Sequence, residues 1–160
     1  MKKNILLLTA TLIHCLSALT LQAGEICLNG IWDYGLGRRY DKSGNVPGVH
    51  TDPTAPGEGT LWYRRSVTLP TGNWTNATLE LKGARFLPKV YVNGLQVSEA
   101  GGGMARTFHN ISVPGVRPGA EIVLEIALSS LSSVSSDDAS WIPTVDQWRS
   151  SCASCLWDDV

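Results

Sequence analysis

Apolar and polar positions in this chain alternate with a period of two in several short stretches, and none sustains the 3.6-residue period of an amphipathic helix. Successive side chains of a strand point to opposite faces, so the pattern predicts an all-β protein. Leu28, Gly30, Trp32 and Tyr34 fall on one side of a first extended segment. Residues 62–69 (WYRRSVTL) predict a strand with Tyr63, Val67 and Leu69 inward, Arg65 breaking the pattern and Pro70 ending it. Residues 77–81 turn Leu79 and Leu81 inward, and residues 89–92 do the same with Val90 and Val92. Asn93-Gly94 then favours a tight type I′ hairpin, because both central residues must accept positive φ, with Leu95 and Val97 on the return arm. The cleanest alternation is residues 121–128 (EIVLEIAL), which sends Ile122, Leu124, Ile126 and Leu128 to the core and Glu121 and Glu125 to water.

The intervening stretches read as loops. Residues 46–60 (VPGVHTDPTAPGEGT) are too rich in Pro and Gly to continue a central strand, Gly101-Gly102-Gly103 reads as a flexible turn, and residues 129–140 are a serine-rich loop with little to bury. Residues 156–160 look like a strand that has barely begun, so the domain reads as cut at the start of its last strand. Trp32, Trp62 and Tyr63 belong to strand patterns and are expected in the core. Trp141, Trp148 and Trp157 lie in loop-like surroundings, where a ring face could stack on a pyranose.

Residues 1–23 have the layout of a secretory signal: Lys2 and Lys3, an apolar run at residues 5–12 (ILLLTATL), and a small residue, Ala23, before Gly24. The run is far shorter than the roughly 20 residues a membrane span requires. Export to the periplasm or the extracellular space is expected. A lipid anchor at Cys15 is the weaker alternative, because His14 replaces the small residue such processing prefers. Residues 24–160 then form one domain of roughly 135 residues, enough for a proper core.

Thirteen Lys+Arg against 14 Asp+Glu leave a net charge of −1, which carries no electrostatic footprint for nucleic acid or an anionic membrane and points to a neutral partner. Sixteen Gly, six Trp and 17% charged residues suit turns and aromatic surfaces. Cys27, Cys152 and Cys155 remain after signal removal, with their pairing open. Cys152-Ala153-Ser154-Cys155 has no second ligand pair to complete a zinc site, so no metal and no cofactor is expected.

No sequence feature builds a catalytic centre. A retaining glycosidase needs two carboxyls about 5 to 5.5 Å apart. Asp137-Asp138 and Asp158-Asp159 are chain neighbours that an extended strand would point apart. A serine hydrolase would need Gly-x-Ser-x-Gly with a nearby histidine, and His50 and His109 read as ordinary loop residues. The three glycines at 101–103 lack the Gly-Lys-Ser/Thr of a phosphate loop.

Several motifs in order resemble the amino-terminal sugar-binding domain of glycoside hydrolase family two, the group of β-galactosidases, β-glucuronidases and β-mannosidases. They are Leu28-Asn29-Gly30-Ile31-Trp32, Val46-Pro47-Gly48, Trp62-Tyr63-Arg64-Arg65 closing at Leu69-Pro70, and Val90-Tyr91-Val92-Asn93-Gly94. Asp146-Gln147-Trp148-Arg149 and Leu156-Trp157-Asp158-Asp159-Val160 resemble that family's passage into its second domain. The resemblance covers nearly all of residues 24–160 and implies a jelly-roll β-sandwich, similar to galactose-binding domains, packed beside a later barrel that holds the catalytic glutamates. It implies a chain that is inactive alone, with carbohydrate and the enzyme's downstream domains as partners. By the same resemblance Asp146 is the leading substrate-binding candidate, with Trp148 and Arg149 beside it. The Pro/Gly loop from His50 to Gly59 departs from the galactosidases, which leaves the sugar open. A free-standing carbohydrate-binding module and an exported adhesion sandwich are the alternatives.

Overall fold

A computed structural model of the chain describes residues 24–50, 59–130 and 154–160. Ten strands are described: β1 (Gly30–Leu36), β2 (Lys42–Val46), β3 (Thr60–Thr68), β4 (Thr78–Leu81), β5 (Ala84–Arg85), β6 (Lys89–Val92), β7 (Leu95–Glu99), β8 (Thr107–Asn110), β9 (Glu121–Ser129) and β10 (Cys155–Leu156). Six of them form one antiparallel sheet in the order β2-β1-β3-β9-β6-β7. Two short antiparallel pairs, β4-β8 and β10-β5, make up the rest. The described residues are all-β, and the architecture is a β-sandwich.

Side-chain alternation builds the core. Trp32, Tyr63, Val67, Val90, Val92, Ile122, Leu124, Ile126 and Leu128 from the large sheet pack with Leu79, Leu81, Ala84, Ile111 and Leu156 in a single buried cluster. Every inward residue expected on residues 77–81, 89–92 and 121–128 is in it. The Asn93-Gly94 turn has φ of 50° and 84° at its two central residues, and Val92 pairs with Leu95 across it, as a type I′ hairpin requires.

Arg65 interrupts the inward row of β3, and its partners explain how the core tolerates it. Its Nη1 donates to the carbonyls of Leu28 (2.6 Å) and Asn29 (3.0 Å), and the Trp32 indole Nε1 donates to the same Leu28 carbonyl at 2.8 Å. The guanidinium thus ties the amino-terminal segment down instead of entering the apolar interior.

Several expectations are corrected. Strands β2, β5 and β8 were not legible as strands. Lys42–Val46 has one apolar residue and forms by pairing Gly30 to Tyr34 of β1 with Val46 to Lys42. Val46 therefore ends a strand, and residues 47–50 form the loop that follows. His109 is no loop residue: it lies in β8, fully buried, with its two ring nitrogens 3.0 Å from Ser98 Oγ and 2.9 Å from Thr107 Oγ1. His50 does lie in a loop, and its Nδ1 is 2.9 Å from the Tyr63 hydroxyl.

The glycine turn is packed. The Gly102 carbonyl accepts from the Leu87 amide at 2.8 Å, and that of Gly103 accepts from the Trp157 indole at 3.1 Å. The final segment is shorter as a strand than expected: Cys155 and Leu156 pair with Arg85 and Ala84. The serine-rich stretch from residue 131 lies outside the described residues.

Removing side-chain volume from this cluster should be costly. Leu81→Ala, at a position with no solvent exposure, is expected to lower stability by about 2–5 kcal/mol in urea unfolding. Burial also lowers the His109 pKa below its ordinary 6.5. The unfolded chain then takes up a proton at a higher pH than the folded one, so stability is full above 6.5 and falls as pH drops toward the depressed folded value. Urea titrations at pH 7.5 and 5.0 should show that loss, with a smaller one in His109→Gln. Some slope remains because His50 is shifted the same way by burial.

Candidate functional site

The outer face of the large sheet carries a continuous polar and aromatic row. Strand register aligns Ser43, Asp33, Arg64, Glu125, Tyr91 and Gln96, one residue from each of the six strands. Neighbours in the row are matched. Ser43 Oγ donates to Asp33 at 2.9 Å, Arg64 Nη2 reaches Asp33 Oδ2 at 3.3 Å, and the Tyr91 hydroxyl donates to Gln96 at 2.9 Å. Opposite charges directly across an antiparallel pair stabilise it, which accounts for Asp33 facing Arg64 and Arg64 facing Glu125.

The loop after β1 folds back over this row. Gly35 makes that possible: a Cβ there would lie 1.6 Å from the Arg39 carbonyl oxygen, so no other residue allows the loop to approach so closely. The fold-back brings Arg38 and Tyr40 onto the sheet. The Arg38 guanidinium sits 4.2 Å from the Trp62 ring centroid and 4.7 Å from that of Tyr91, with Nη2 3.6 Å from Glu125 Oε2. Tyr40 donates its hydroxyl hydrogen bond to Glu125 Oε1, and the Arg64 guanidinium lies 4.2 Å from the Tyr40 ring. Burial, and then the Glu125 carboxylate, push the Tyr40 pKa up.

Two expectations are overturned here. Glu125 does not face open water; it is 7% exposed beneath Arg38 and Tyr40. Trp62 is not core. It is half-buried on the outer face, 4.9 Å from the Tyr91 ring, because adjacent residues of a strand point to opposite faces and Tyr63 occupies the inner one.

What the arrangement can do chemically is limited by its own saturation. Arg38 lies against both Trp62 and Tyr91, and Asp33 and Glu125 are each ion-paired. Its groups are held in place by one another. Trp157, expected as a stacking candidate, is 37% exposed but pinned: its indole donates to the Gly103 carbonyl and its ring lies over Gly83. Asp146, Trp148 and Arg149, the substrate-binding candidates, lie outside the described residues, as do Trp141, Cys15 and Cys152. Cys27 is exposed and Cys155 is buried in β10. Among the described residues no three His, Cys, Asp or Glu side chains gather as a metal site, and no helix is long and apolar enough to cross a membrane.

No family model and no curated protein matches the chain. Solved structures do. A β-D-mannosidase from Dictyoglomus thermophilum matches 84% of the chain with a TM-score of 0.64 and 17% identity. A β-D-glucuronidase from the same organism matches 64% with a TM-score of 0.54 and 26% identity, and a β-glucuronidase from Faecalibacterium prausnitzii matches 66% with a TM-score of 0.54 and 23% identity. The chain spans 22%, 19% and 22% of those three proteins, respectively. These likenesses show the fold: a β-sandwich of a kind that those glycosidases also contain.

The loop and the row should act as one unit. A double-mutant cycle of Tyr40→Phe and Glu125→Gln, read by urea unfolding, is expected to give a coupling of about 0.5–3 kcal/mol. Strictly additive losses would mean that the two groups do not share a network.

Proposed function

We propose that this chain is the non-catalytic sugar-binding domain of an exported family-two glycoside hydrolase, whose hydrolysis of O-glycosyl bonds is carried out by a separate domain. The observation that carries the reading is the likeness of most of the chain to about one fifth of known β-glucuronidases and a β-mannosidase. The motif order at residues 28–32, 62–70 and 90–94 supports it independently of that likeness.

In this reading residues 1–23 direct export, Asp146 contacts the sugar at the mouth of the active site, and Trp148 and Arg149 assist it. The row around Arg38 and Trp62 is a surface for packing against a neighbouring domain of the same enzyme.

Purified residues 24–160 are expected to release no nitrophenol from 4-nitrophenyl β-glucuronide, β-galactoside or β-mannoside above a buffer control. Measurable turnover that survives repurification would overturn the proposal. An antibody against the same residues should detect, in the source cells, a band several times larger than 17.2 kDa. In that larger protein Asp146→Ala should raise KM for the glycoside. A native band near the mass of the domain, with glycan binding lost in Trp148→Ala, would favour a free-standing carbohydrate-binding module instead.

A further inference from the structure

The loop after β2 closes on the core through one histidine. Strand β2 ends at Val46, and residues 47–50 bring the half-buried His50 ring back against it. Two glycines admit the ring. A Cβ on Gly44 would lie 2.7 Å from His50 Nε2, and one on Gly48 would lie 3.0 Å from Cε1, so a side chain at either position would push the imidazole away. The ring also meets Tyr34 of β1, with centroids 4.5 Å apart, and Tyr63 of β3, at 5.5 Å and an interplanar angle of 70°.

Hydrogen bonds fix the protonation state that this packing accepts. The Leu156 amide donates to the Tyr63 phenol, which has no solvent exposure, so the phenol keeps its own hydrogen for His50 Nδ1 at 2.9 Å. The single N–H of a neutral imidazole then goes to the Asn45 carbonyl. The same chain of bonds reaches β10 a second time, because the Gly48 amide donates to the Leu156 carbonyl at 2.8 Å. A second proton on His50 breaks this order. Nδ1 becomes a donor, and the phenol's displaced hydrogen is left buried without an acceptor. Among the described residues, the titratable groups facing the ring are the phenols of Tyr34 on β1 and Tyr63 on β3, with the Cys155 thiol of β10 acting on Tyr63, while β2 contributes Gly44 and Asn45. None of these is a carboxylate that would pair with an imidazolium.

We propose that His50 is a pH-operated latch: neutral, it holds residues 47–50 against β3 and, through Gly48, against β10; protonated, it lets that segment open while the β3–β9 ladder stays intact. Burial already lowers the His50 pKa below its ordinary 6.5, so the latch is shut at neutral pH. The freed ring binds a proton at a higher pH than the packed one, and acidification therefore favours the open form. The latch stands on the contacts of His50 and does not depend on the glycosidase reading.

The test is amide exchange in the full chain at pH 7.5 and 5.0, expressed as protection factors so that the intrinsic pH dependence of exchange cancels. The Gly48 amide reports the latch, and the amides of the β3–β9 ladder report global unfolding. Protection of Gly48 is expected to fall about five- to thirtyfold further than that of the ladder between the two pH values. In His50→Asn, whose side-chain oxygen can accept from Tyr63 but does not titrate, this extra fall is expected to vanish. In Tyr63→Phe, which keeps the buried ring, Gly48 is expected to be poorly protected at both pH values. Equal changes at Gly48 and the ladder would overturn the proposal. So would an extra fall that persists in His50→Asn, one that is unchanged in Tyr63→Phe, or one that disappears in His109→Gln, which would assign it to the other histidine.

Discussion

Nine successive residue pairs join Thr60–Thr68 of β3 to Glu121–Ser129 of β9, and everything else in the sandwich is hung on that ladder. Its register decides which side chains meet. With Tyr63 opposite Ile126 and Val67 opposite Ile122, the inner face is apolar, while Arg64 opposite Glu125 leaves the outer face charged and paired. A slip of β3 by one residue would send Arg64 into the core and Tyr63 to the surface, so hydrophobic burial on one face enforces the charge pairing on the other.

The two faces of the same sheet are consequently finished in different ways. Inside, branched and aromatic residues from the large sheet meet the short strands β4, β5, β8 and β10, and the buried polar groups are few and partnered, as His109 is by Ser98 and Thr107. Outside, among the described residues, the loop carrying Arg38 and Tyr40 covers the row, and Gly35 admits it. The cost of burying Glu125 is offset by Tyr40 and Arg38, so the outer row is rigid without being apolar.

Among the described residues the core is sealed at Leu81, Phe86 and Leu128 and less so at Leu69 and Ile111, which line a groove between residues 24–28 and β4.

The sequence by itself determined the class of fold and most of the core, because a period of two is a local property. Leu79, Leu81, Val90, Val92 and the alternating residues of β9 are buried where the pattern puts them, and Asn93-Gly94 makes its turn from its own backbone preferences. Short-range pattern could not find β2, β5 or β8, since Lys-Ser-Gly-Asn-Val is a strand only because β1 lies beside it. It also misassigned Glu125, Trp62 and His109. Their environments are set by residues distant in the chain: Arg38 and Tyr40 over Glu125, Tyr91 beside Trp62, Ser98 against His109. The motifs that resemble a sugar-binding domain stand in the sequence as an ordered series, whereas the Arg38–Trp62–Tyr91 row and the groove between residues 24–28 and β4 were not legible there. Both exist only where strands remote in sequence are brought into register, and tertiary structure alone decides that.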